Sequence, residues 1–175
     1  MTNTLEGLKK LKVGVFFALL ALLYGFGLGA AFGAAEDSIK AHLEGSAQAV
    51  LATAYDGDLA KAEKVLSKSW TYFKRAHLHA NGLGTASLAL ILLLACSTRV
   101  GRLEQATAAL LGVGALGYAS FWMFAGLAAP GLGSTGAAKE ALSWLAVPTS
   151  GACIVGLLGV FCLFGRAVLA GSSPD

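Results

Sequence analysis

Apolar positions gather along this chain into four long blocks, at about residues 13–35, 80–98, 103–129 and 142–169, with few charges inside them. A bilayer core about 30 Å thick is crossed by roughly 20 helical residues, so each block is about long enough to span. The blocks are continuous, whereas a closed barrel needs short segments of alternating polarity. The pattern predicts an all-α fold, a bundle of four transmembrane helices in a single membrane domain over 1–175. The first block is too long for a signal-peptide core and has no clean cleavage site leading into a soluble domain, so it reads as a retained signal-anchor span.

Residues 36–79 carry a different pattern. Ile39, His42, Leu43, Ala47, Val50, Leu51 and Ala54 recur three and four apart, as on an amphipathic helix. Tyr55-Asp56-Gly57-Asp58 is a turn signal, with Asp58 placed to cap the next helix. Leu59, Ala62, Val65, Leu66, Ser69, Trp70, Phe73 and His77 then repeat the helical spacing. The expected element is an extramembrane helical hairpin between the first two spans. Residues 130–136, PGLGSTG, predict a flexible loop at the same end. Those glycines neither follow a strand nor precede a lysine at phosphate-loop spacing.

Composition agrees with this picture. The chain is 56% hydrophobic and 13% charged, about half the charge of a soluble domain. A net charge of +3 is too small to argue for nucleic acid. The basic residues matter more by position: Lys9, Lys10 and Lys12, then Arg99 and Arg102, then Arg166 fall on one side of a four-span chain. The positive-inside rule makes that side cytoplasmic, with both termini inside a bacterial inner membrane and the hairpin outside. Cys96, Cys153 and Cys162 lie in or at the ends of spans and read as small packing residues.

No span carries an acidic pair, which argues against a proton pump or cation-coupled transporter. No nucleophile–base spacing stands out, so no catalytic residue is assigned and the isolated chain does not read as an enzyme. Gly25, Gly29 and Gly33 share one helix face. Such a face serves close helix packing or self-association, or it seats a flat macrocycle or quinone. Trp70, Tyr72, Phe73 and Trp144 are placed for a headgroup-level belt.

The remaining candidates are the histidines, all near the hairpin end of an otherwise histidine-free bundle: His42, His77 and His79. His77 and Asn81 are four apart and share a face, whereas His79 lies about 200° round the helix from His77. A regular helix therefore keeps the two rings from binding one metal ion. His42, on the apolar stripe of the first hairpin helix, could be brought toward them by the antiparallel return. The stretch Arg75-Ala76-His77-Leu78-His79-Ala80-Asn81, followed by an apolar glycine-bearing run, resembles the Arg-x-x-His-x-Asn stretch of cbb3-type oxidase and nitric oxide reductase catalytic subunits, in which the histidine ligates a b-type heme. The resemblance implies His79 as the ligand and Asn81 as the polar residue after it, with Arg75 offset by one place. A second ligand would be His77, His42 or a residue of another chain. The expected function is an accessory subunit of a membrane redox or respiratory electron-transport assembly, holding heme b, copper or another metal ion through His79, His77, Asn81 and His42. The alternative is a structural or oligomer-forming membrane protein without a cofactor, using the hairpin to dock partner subunits.

Overall fold

The computed structural model describes residues 4–97 and 99–170. Seven helices appear among them: α1 (Thr4–Lys10), α2 (Lys12–Ala49), α3 (Leu51–Ala54), α4 (Leu59–Ser97), α5 (Arg102–Gly131), α6 (Thr135–Ala141) and α7 (Ser143–Ala170). No strand interrupts them among the described residues. Helices α2, α4, α5 and α7 are each long and apolar enough to cross a bilayer, and the chain is an integral membrane protein built as an all-α bundle. The end that carries the connection between α2 and α4 is called the hairpin end below, and the opposite one the termini end.

Within the bundle α5 is central, packing on α2, α4 and α7, and α2 packs on α4. The inward faces are made of small residues. On α2, Gly14, Ala18, Ala21 and Gly25 are buried, while Val13, Phe16, Leu19, Leu23 and Phe26 turn outward. This reverses a soluble helix, because lipid already satisfies bulky apolar side chains and close backbone approach supplies the packing energy. A Cβ added at Gly14 would stand 2.3 Å from the Ala108 carbonyl oxygen, and one at Gly112 would stand 2.4 Å from that of Gly14. Helix α7 lies against α5 in the same way, with Gly114 facing Cys153 and Thr149, and Gly156 facing Leu111. Helices of the same chain thus fill the faces at Gly14, Gly112, Gly114 and Gly156.

Helices α2 and α4 run well past a bilayer. Their 38 and 39 residues extend about 57 Å at 1.5 Å per residue. Ala35, the expected end of the first span, is where α2 leaves helical geometry (φ −140°, ψ 23°) before continuing to Ala49. Asp56 and Gly57 take positive φ at the turn, and the Lys61 amide donates to Asp58 Oδ1 at 3.1 Å as an N-cap should.

The hairpin does not stand alone. The last turns of α5 pack on it, and the tie depends on Pro130. Without an amide proton, Pro130 leaves the Gly126 carbonyl, four residues back, without its helical donor; the buried Ser69 hydroxyl donates to that carbonyl instead. The carbonyl of Pro130 accepts from the buried Tyr55 hydroxyl at 2.8 Å. The expected flexible loop is corrected in part: Ser134 caps α6 by accepting from the amides of Gly136 (3.1 Å) and Ala137 (3.3 Å). The hairpin end is a packed helical layer, with α6 and the end of α5 added to the predicted pair.

Candidate functional site

His77, His79 and Asn81 lie on α4 where it passes from the helical layer into the span. His77 is half-buried, and its Nδ1 lies 2.8 Å from the Gly25 carbonyl oxygen on α2. A carbonyl only accepts, so that nitrogen carries a proton. Asn81 Nδ2 donates to the His77 carbonyl at 3.1 Å. The glycines opposite make the room: a Cβ at Gly25 would lie 2.6 Å from Asn81 Oδ1, and one at Gly29 would lie 2.9 Å from His77 Cε1. Gly33, the third member of the expected strip, faces open space. Asn81 Oδ1 is buried without a hydrogen-bond partner, set against the bare backbone of Gly25.

His79 belongs to the other side of α4. Its Nδ1 donates to the Arg75 carbonyl at 2.8 Å, one turn back on its own helix. The ring meets Tyr118 edge-on at 5.1 Å and lies 6.1 Å from Trp122, both on α5. Trp122 also meets Tyr72 at 4.9 Å, and the Arg75 guanidinium sits 4.8 Å over the Trp122 ring. The Trp122 indole nitrogen is buried without a partner. Tyr72 and Phe73, expected in a headgroup belt, are instead buried in the chain, while Trp144 is 69% exposed.

His42 is exposed, and Leu43 and Ala47 take the buried face in its place. The expectation that it shares the apolar stripe is corrected: the buried positions follow Leu43 and Ala47, and His42 falls one residue off them. The three histidines accordingly have three surroundings: α2, the aromatic cluster of α5, and the exposed surface of the hairpin. Among the described residues no three His, Cys, Asp or Glu side chains converge into a metal-holding group.

These surroundings differ in what they can hold. A flat macrocycle does not fit between His77 and α2, because Gly25 and Gly29 already take Asn81 and His77 at contact distance. The donor chemistry at His79 fits ligation better, with Nδ1–H held by a carbonyl and aromatic rings beside the ring. A separate cleft of about 190 Å³ opens in the helical layer between Lys40, Leu43, Glu44, Leu66, Ser67 and Trp70. There Lys40 pairs with Glu36 and stands 5.1 Å over the Trp70 ring. Its hydrogen bond to Glu36 holds the ammonium above the ordinary lysine range.

Sequence reasoning missed Tyr55, Ser69 and Pro130 as a group. The available signal was a proline inside the last turn of an apolar helix, which requires a donor from elsewhere for the carbonyl four residues earlier. The chain matches no family model, no curated protein and no solved structure.

Proposed function

We propose that the chain is a structural membrane protein that works without a resident cofactor: a lipid-embedded anchor that holds out a rigid helical layer for other subunits or for further copies of itself. The observation that carries this reading is that α4 without interruption, and α2 across its break at Ala35, continue past the bilayer length and are tied there to the end of α5 through Tyr55–Pro130 and Ser69–Gly126. An anchor needs only the span, so a packed layer outside it is the part available to partners. Gly14, Gly25, Gly29 and Gly112 support the same reading, since side chains and backbone of the same chain occupy the space beside them.

A second reading has its own support. His79 presents the tautomer of a metal- or heme-ligating imidazole, which favours a single axial ligand for heme b or one donor to a copper or other metal ion, together with an accessory redox role. Both readings meet in one experiment on chain purified from its native membranes. The structural reading expects no Soret band, no reduced-minus-oxidised difference, no stoichiometric metal, and a closed oligomer or fixed complex by native mass measurement. A Soret band or bound metal that disappears in His79→Ala would overturn it in favour of the redox reading.

A further inference from the structure

The termini end of the bundle carries a feature that the anchor role does not use. A cleft of about 570 Å³ lies between the end of α4, the start of α5 and the end of α7, lined by Arg99, Arg166 and Glu104 above an apolar floor of Leu103, Leu163 and Ala167. Both arginines are exposed, and neither makes an ion pair among the described residues. The one carboxylate on the wall is already engaged: Glu104 Oε2 accepts from the Gly101 amide at 2.9 Å, capping α5. The cleft therefore sets two guanidiniums against one carboxylate, which already caps the amino end of the 30-residue α5.

We propose that this cleft is a headgroup site for an anionic phospholipid. Guanidinium forks match phosphate oxygens in two-pronged geometry, and two of them suit one phosphodiester. The floor decides the source of the phosphate. Leu103 is 65% exposed and forms an apolar floor with Leu163 and Ala167, against which the start of an acyl chain can lie beneath its headgroup. A soluble phosphate gains nothing from such a floor. Surroundings agree in sign: Lys9, Lys10, Lys12 and Arg102 belong to the same end, against Glu6 and the engaged Glu104. Basic clefts between spans at a charged membrane face are an established way of holding anionic lipids.

The test is native mass spectrometry of the full chain, titrated with phosphatidylglycerol, phosphatidylcholine or inorganic phosphate, on the parent and on Arg99→Gln/Arg166→Gln. Circular dichroism checks that each variant remains helical. The expected result is retention of phosphatidylglycerol over phosphatidylcholine, weakened about thirtyfold in the double variant and unchanged in Lys139→Gln on α6 at the opposite end. If the double variant does not fold, the two single variants carry the test, each expected to weaken retention about fivefold. Equal retention of both lipids, or equal retention by parent and variants, would overturn the site. Displacement of phosphatidylglycerol by inorganic phosphate at equal concentration would overturn the lipid assignment.

Discussion

The two halves of α4 hold their neighbours by different means. Toward the termini end, Gly84, Ser87, Ile91, Leu94 and Ala95 bury against α2 and α5, with one side-chain bond to a carbonyl, Ser87 to Leu111 at 3.2 Å. Toward the hairpin end the same helix presents Ser69, Tyr72, Phe73, His77 and His79, and contact is made by rings and by donors aimed at carbonyls. Lipid gives apolar side chains no reason to leave it, so the span half gains by close backbone approach. Outside the bilayer, burying large rings again removes apolar area from water. One helix thus follows two sets of packing rules, and the histidines sit where the rules change.

The largest effect should come from filling a backbone contact between spans, that of α2 with α5. Gly14→Ala or Gly112→Ala places a Cβ against main-chain atoms that cannot turn aside, and should cost about 3 kcal/mol in a denaturant titration in detergent. Gly27, which faces open space, supplies the contrast: Gly27→Ala should be neutral or stabilise by up to about 1 kcal/mol. Equal losses at the two positions would break the comparison at its root.

Next in size is the tie that closes the helical layer. Tyr55→Phe leaves the buried Pro130 carbonyl without that donor and should cost about 1–2 kcal/mol, read as faster hydrogen exchange in α6 and the last turn of α5 while the span is unaffected. Burial also pushes the Tyr55 phenol above its ordinary value. The folded layer therefore holds that proton more tightly than the unfolded chain, and its contribution is present below about pH 10 and lost as pH rises through the folded value. Exchange in α6 should accelerate there before exchange in the span does.

A smaller asymmetry separates the two histidines. His77→Ala breaks a bond between two helices and should cost about 0.6–1.7 kcal/mol. His79→Phe gives up only a bond within its own helix and keeps a ring beside Tyr118, so its thermal midpoint should match the parent's. His42→Ala, at an exposed position, should change stability by less than about 0.5 kcal/mol.

Much of the fold was legible because lipid imposes a length and a polarity on each crossing. The four spans, the Tyr55–Asp58 turn and the Asp58 cap all follow from local chemistry, whereas the break in α2 at Ala35 had no signal in the periodicity. The opposite placement of His77 and His79 followed from helical geometry alone. The third member of the helical layer was not legible, because residues 122–131 are as apolar as a span and hydropathy cannot tell a ring packed on protein from one packed on lipid. Helix α6 was hidden by its glycine-rich approach, although Ser134 carried the cap. His42 was misplaced by a stripe read one residue too wide, and the partner of each remaining histidine depended on which helix stood opposite, a tertiary fact outside the periodicity.

The central claim is that α4 commits its two histidines to different neighbours, each with Nδ1 protonated and bonded to a carbonyl. Nitrogen-15 spectra of histidine-labelled chain in bilayers test it directly. The expected result is two imidazoles fixed as the Nδ1–H tautomer, a through-space contact from His77 alone to the Gly25 carbonyl, and a third, solvent-exchanging signal from His42. Nε2 signals of His77 and His79 that move together when a metal ion is added would contradict it.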